Sequence, residues 1–267
     1  MQMPVMTFNL RYDNQGDGAN AWPNRIDAAA AVIRSNEPLV FGIQEGLHSM
    51  LLDLEKRLPE YSWFGEGRNG GEGGEGGEYS AVFYRKDRIE LLEHGQFWLS
   101  GTPDVPGSVG WDARITRICT WGLLQEVSSG SRFLFFNTHL DHVGEAARLH
   151  GAALIVRFMK EHRAKWKVPA LLTGDMNAVP DSPPIRFLRG ERATDGVSSD
   201  LSDAYLRAEG TIGRTFHGFK GSTEGEPIDY IFASPGFAVL SVKVDRTRPG
   251  GRYPSDHYPV IAEVRLG

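Results

Sequence analysis

The chain has 267 residues, 40% hydrophobic and 24% charged, with a formal net charge of -5. It is long enough to bury a sizeable core, and its composition is that of an ordinary soluble globular protein. The acidic balance provides no general attraction to nucleic acid, so an anionic substrate must be met by a bound cation or by locally placed Arg and His.

The N-terminus enters strand-like sequence almost at once, with Val5 to Asn9 the first predicted strand. No signal peptide is visible, the longest apolar runs (such as Ala28 to Ile33) fall far below membrane length, and a cytoplasmic location is expected by default. A helix is predicted after Trp22-Pro23 from Ala28, Val32 and Ile33, with Pro23 favourable in a first turn. The run Leu39 to Gln44 predicts a strand, and Leu47, Leu51, Leu54 and Leu58 predict a helix after Glu45. Gly65 to Glu78, where glycines alternate with Glu66, Glu72, Glu75 and Glu78, reads as a mobile, solvated surface loop. It lacks the Gly-Lys-Ser/Thr ending of a phosphate-cradling loop.

Further strands are expected at Ser80 to Tyr84, Phe133 to Asn137, Ala170 to Thr173, Ile228 to Ala233, Val239 to Val244 and Pro259 to Val264. The single cysteine, Cys119, excludes an intrachain disulfide; in the strand-like context Arg117 to Trp121 it reads as a buried hydrophobe. Ala146, Leu149, Ala153, Val156 and Met159 predict an amphipathic helix after Gly144. The basic clusters Arg85 to Arg88 and Lys160 to Lys167 are interleaved with acids or spread around a helix, and read as solvated faces. With no repeat and no linker, the expectation is one layered α/β domain over residues 1–267.

Polar and acidic residues gather at the ends of the apolar runs. Asn9 ends the first strand, Glu45 follows the second, His139 and Asp141 follow Phe133 to Phe136, and Asp175 and Asn177 follow Ala170 to Leu172. Asp229, Asp256 and His257 precede their strands, and an antiparallel strand begins on the rim where its neighbours end. One rim can therefore collect Asn9, Glu45, His139, Asp175, Asn177, Asp229, Asp256 and His257. Magnesium requires only one or two carboxylates plus waters and substrate oxygen; Glu45 and Asp256 supply those, with Asn9 as a neutral oxygen. Asp175 suits the orientation or deprotonation of water, and His139, His257 and Asn177 suit charge developing on phosphate oxygens. Taken singly, each residue is better explained as a cap, a core histidine or a surface group; the ordered set is not.

The segments Thr7 to Arg11, Gly42 to Glu45, Asn137 to Asp141, Gly174 to Asn177, Ile228 to Ile231 and Ser255 to His257 closely resemble, in order, those of the endonuclease/exonuclease/phosphatase superfamily, which spans pancreatic deoxyribonuclease and the inositol polyphosphate 5-phosphatases. The resemblance implies a four-layer α/β sandwich, with two mixed β-sheets face to face and helices outside. It also implies that Glu45, assisted by Asn9 and Asp256, holds magnesium (manganese substituting), as one ion or two. Asp175 would activate water, Asn177, His139 and His257 would contact the phosphate, and Asp229 would orient His257 and favour its charged form. The opening Asn9 to Asn14 and Asp17 to Trp22 resemble a bacterial branch among whose relatives sugar-phosphate phosphatases occur. Arg117, His217, Arg148 and Trp111 lie in or beside these motifs and are candidate substrate contacts, each with a structural alternative.

Thr138 to Gly144 also resembles a zinc motif of metallo-β-lactamase-like hydrolases, but one histidine is missing; calcineurin-like phosphoesterases share Gly174-Asp175, but no Gly-Asn-His follows. A fold that has lost its chemistry would lack a catalytic side chain, and none is lacking. The expected function is magnesium-dependent hydrolysis of a small phosphate ester, such as a sugar phosphate, by in-line attack of water. The alternative is a nuclease or deadenylase-like exonuclease, which would want Lys and Arg flanking the cleft. A membrane partner is not expected.

Overall fold

In the computed structural model, which describes residues 1–70 and 72–267, two six-stranded mixed sheets pack face to face between helical layers. In chain order the elements are β1 (Gln2–Asn9), α1 (Ile26–Asn36), β2 (Val40–Gln44), α2 (His48–Arg57), β3 (Tyr61–Phe64), β4 (Val82–Arg85), β5 (Ile89–Trp98), β6 (Ile118–Glu126) and β7 (Arg132–His139). There follow α3 (Glu145–Trp166), β8 (Ala170–Asp175), α4 (Pro183–Leu188), β9 (Ala193–Thr194), β10 (Val197–Ser198), β11 (Ser202–Asp203), β12 (Asp229–Ala233), β13 (Phe237–Val244) and β14 (Val260–Leu266). One sheet runs β13-β14-β1-β2-β4-β3 and the other β11-β12-β8-β7-β6-β5, with β1–β2 and β7–β8 the parallel pairs. The four-layer sandwich expected from the sequence is therefore present. Among the described residues no helix is long and apolar enough to cross a membrane.

Strand alternation sorts the side chains between layers. In β7, Leu134 and Phe136 pack under α3, whereas Phe133 and Phe135 face the other sheet. In β1, Met6 and Phe8 meet α1 and α2, and Met3 and Val5 face inward. Along the inward faces apolar side chains give way to polar ones: Val5 to Thr7 and Asn9, Phe135 to Asn137 and His139, Leu171 to Thr173 and Asp175, all buried. A polar layer thus crosses the sandwich just below the rim. Gln44 Nε2 donates to Thr7 Oγ1 (3.1 Å) and to Asn137 Oδ1 (2.7 Å), and Asn137 Nδ2 donates back to Ile43 O (2.8 Å) and Ala81 O (3.0 Å). Thr173 Oγ1 donates to the same Asn137 oxygen at 3.1 Å. Gly42 is required here: a Cβ would fall 2.3 Å from Asn137 Oδ1.

Strands β3 and β5 were not expected. In β5 Glu90, Glu93 and His94 interrupt the apolar pattern, and a register shift between Leu91 and Glu93 breaks its alternation, as an edge strand tolerates. The Gly65 to Glu78 segment also departs from a plain solvated loop. Gly71 lies outside the described residues. Elsewhere Arg68 N–H donates to Glu78 O (3.0 Å), Asn69 N–H to Gly76 O (2.9 Å) and Gly76 N–H to Gly70 O (3.0 Å).

Replacing Gly42 with Ala should force the sheets apart or displace Asn137, at a cost of about 1–3 kcal/mol. The measurement is the urea midpoint, which should fall with little change in slope.

Candidate active site

The ends of β1, β2, β7 and β8 and the starts of β12 and β14 meet on one rim. Glu45, His139, Asp175, Asn177, Asp256 and His257 line one cleft of about 590 Å³ there. Asn9 and Asp229 sit behind it, both fully buried. Three chain exits turn through the left-handed region, at Arg11 (φ 55°), Glu45 (φ 61°) and Asn177 (φ 45°). Such conformations are costly away from glycine and concentrate at functional sites.

Asp175 is the hub. Its Oδ2 accepts from Asn9 Nδ2 (2.9 Å) and its Oδ1 from the Asn177 N–H (2.9 Å), while His139 Nε2 and His257 Nε2 stand 3.4 and 3.8 Å away. Burial, and then the charge of Asp229, raise its carboxyl above the ordinary carboxylate range. Burial opposes the charged form of His257, but Asp229, 2.9 Å from Nδ1, together with Asp175 and Asp256, outweighs it and raises the imidazole above its ordinary range. Protonated His257 donates to Asp229 through Nδ1 and keeps Nε2–H for the cleft. His139 behaves oppositely. Burial, reinforced by Arg117, holds it well below the ordinary imidazole range. Neutral, it accepts at Nε2 from Asn177 Nδ2 (2.9 Å), which places its proton on Nδ1.

Ligand atoms of Asp175, Asp229 and His257 lie within 4.8 Å of one another. An imidazolium between two carboxylates already supplies a cation to that cluster and offers no lone pair to a metal. Glu45 and Asp256 form a different group. Burial raises the Asp256 carboxyl, and the charge of Glu45 adds to this against the pull of His257. Two carboxylates facing one cleft are a donor set suited to a hard cation. Asn9 turns its amide nitrogen, not its oxygen, toward Glu45 Oε1 (3.0 Å) and Asp175; its Oδ1 accepts from the Arg11 N–H (2.9 Å).

A family model described as the Endonuclease/Exonuclease/phosphatase family matches residues 6–257. The chain belongs to the endonuclease/exonuclease/phosphatase family. Members hydrolyse phosphoester bonds, and this chain is an enzyme of that kind. A family protein from Bacteroides vulgatus is 37% identical, covers all of both chains and has a TM-score of 0.89. A mannosyl-6-phosphatase from Bacteroides thetaiotaomicron is also 37% identical, over 99% of this chain and 100% of its own, with a TM-score of 0.88. The catalytic domain of human nocturnin shares the fold at 20% identity and a TM-score of 0.75, over 100% of this chain and 94% of its own. No protein of curated function matches.

Of the four candidate substrate contacts in this family enzyme, only Arg117 lines the cleft. Its side chain is 4% exposed, Nη2 lies 3.1 Å from His142 Nδ1, and Nε is 3.7 Å from Asp141 Oδ2. Among the described residues, Nε and Nη1 have no hydrogen-bond partner. His217 instead stacks on Tyr258 with Tyr253 tilted against it, and its backbone N–H donates to Asp256 O (2.8 Å). Burial lowers its pKa to about 4. Arg148 donates to Asp141 O (2.9 Å), bracing the turn into α3, and Trp111 stacks on His150 in a separate recess.

Three other side chains escaped the sequence reading. Buried Arg25 donates to Asn20 O (2.8 Å), Pro254 O (3.1 Å) and Leu10 O, tying the exit of β1 to the Ser255-Asp256-His257 turn. Burial draws it down to about 10, still a cation at neutral pH. Phe216 lies with its ring centroid 5.0 Å from that of His257, and Glu78 lines the cleft. An isolated Arg before an amphipathic helix carries no signal for such a role.

Ring-nitrogen NMR should find His257 protonated through neutral pH. In Asp229→Asn its titration should fall toward the ordinary imidazole range.

Proposed function

We propose that the enzyme hydrolyses a small phosphomonoester, such as a sugar phosphate, by in-line attack of water with magnesium or manganese bound at Glu45 and Asp256. The observation that carries this reading is Arg117, a buried guanidinium lining the cleft whose Nη1 has no hydrogen-bond partner among the described residues. An uncompensated buried donor is costly, and a phosphate dianion would satisfy Nη1. The other cleft arginine, Arg11, is already held by Asp17 at 2.9 and 3.1 Å. The lining acids are Glu45, Glu78, Asp175 and Asp256, and no lysine joins them. One guanidinium with a free Nη1, in an otherwise acidic cleft, suits a single phosphate better than a polyanionic strand. The similarity to a mannosyl-6-phosphatase supports the same substrate class.

In this reading Asp175 takes the proton of the attacking water, positioned by Asn9 and the Asn177 backbone. His257 donates its Nε2–H to a phosphate oxygen, with Asp229 fixing its tautomer and charge, while the P–O bond to the alcohol breaks and the departing oxygen takes a proton from solvent. Asn177, His139 and Arg117 surround the remaining oxygens. A hard cation held by the carboxylates would offset charge on the phosphate.

Asp175→Asn and His257→Gln should each lower kcat by about 10²–10⁴-fold with unchanged circular dichroism. Chelation should abolish turnover, and magnesium or manganese should restore it. A panel of a hexose phosphate, phenyl phosphate, a phosphodiester and single-stranded RNA and DNA decides the substrate class; fastest cleavage of nucleic acid, falling steeply with salt, would replace this reading by a nuclease.

The pH profile follows from the two shifted groups. Activity needs ionised Asp175, whose pKa is raised, so the acid limb should lie above the ordinary carboxylate range. It also needs protonated His257, likewise raised, so the alkaline limb should lie above the ordinary imidazole range. Asp229→Asn should draw the alkaline limb downward.

A further inference from the structure

The glycine-rich segment presents an arginine–glutamate pair to which the chemistry above assigns no step. Arg68 Nη1 donates to Glu78 Oε2 at 2.7 Å and Nη2 to Glu78 Oε1 at 2.8 Å, a planar fork of two hydrogen bonds. Glu78 lines the catalytic cleft, and Arg68 and Glu78 share a small adjoining recess with Arg117 and His139. The pair therefore borders the place where Arg117 would seat a phosphate.

The backbone that delivers the pair is closely packed. A Cβ on Gly67 would lie 2.2 Å from Gly76 O, and one on Gly76 would lie 2.2 Å from Gly70 O. These glycines are there because the two arms touch. Arg68 O accepts from Trp98 Nε1 at 2.6 Å, and Tyr79 Oη donates to Gly74 O at 3.1 Å, fastening the arms to the body of the protein.

We propose that the Arg68–Glu78 pair reads hydroxyl groups on the alcohol portion of the substrate, making the preferred ester the monophosphate of a neutral, polyhydroxylated molecule. The inference rests on the hydrolase reading above and specifies its substrate class. After the Arg68 fork each carboxylate oxygen of Glu78 keeps acceptor capacity, which a sugar hydroxyl can fill. The guanidinium next to it offers further N–H groups, so donor and acceptor lie side by side, as neighbouring hydroxyls require. The same carboxylate discriminates against a second phosphate on the far end of the substrate, since Arg68 is already engaged by Glu78.

The test is steady-state kinetics of the magnesium-loaded full chain and of Glu78→Gln, with hexose 6-phosphate, hexose 1,6-bisphosphate and phenyl phosphate. The expected result is a KM for hexose 6-phosphate raised roughly tenfold or more, with kcat and the KM for phenyl phosphate moving by less than about twofold. The ratio of kcat/KM for the bisphosphate to that for the monophosphate should rise. Equal losses on phenyl phosphate and hexose phosphate would reduce the pair to a structural clamp and overturn the inference. An unmoved KM for hexose 6-phosphate, with phenyl phosphate still turned over, would overturn it while leaving the hydrolase reading standing. Turnover of none of the three by the wild-type chain would remove both. Phenyl phosphate turnover also reports folding, and if Glu78→Gln does not fold, Glu78→Asp, which withdraws the carboxylate by one methylene, is read in the same way.

Discussion

Asn137 reaches from one sheet to the other, and the site depends on that crossing. Its amide donates to Ile43 O and Ala81 O and accepts from Gln44 and Thr173. The members of this polar layer stand one or two residues before the groups on the rim: Thr7 before Asn9, Gln44 before Glu45, Asn137 before His139, Thr173 before Asp175. One sheet carries Asn9 and Glu45 and leads into β14 through Asp256 and His257, while the other carries His139, Asp175 and Asp229. Hydrophobic packing alone tolerates small slides, because it is non-directional. A connected network of directional bonds, each costing about 1–3 kcal/mol if left unmade, fixes the two halves in both spacing and register.

Above that layer, charge is arranged by burial. Asp175 and Asp256 are both pushed toward the neutral form by desolvation, and His257 is held charged by the acids around it. His139, a few ångströms from Asp175, is held neutral by burial and by Arg117. Two imidazoles on one rim thus take opposite protonation states because one is backed by Asp229 and the other faces guanidinium.

Much of this was visible in the residues. The apolar runs located β1, β2, β4, β7, β8, β12, β13 and β14, and the polar groups at their ends located the rim. Their convergence could be anticipated because antiparallel neighbours place a strand start beside a strand end. The sequence failed where the decisive contact is remote or where backbone, not side chain, does the work. Arg25 binds carbonyls of residues 10, 20 and 254, which no local pattern announces. His217 shares its neighbourhood with a motif yet faces two tyrosine rings, since sequence proximity does not set the direction of a side chain. The glycine-rich segment has the composition of a slack linker, and only the interatomic distances reveal that its glycines are there for close approach.

The pairing of β1 with β14, in which Gln2 stands opposite Arg265, joins strands far apart in the sequence. During synthesis the N-terminal strand leaves the ribosome long before its neighbour exists. Asn9 and Glu45 then stand without Asp256 and His257, because those residues directly precede β14. The rim is therefore completed only once β14 has joined β1, after both sheets have had time to form.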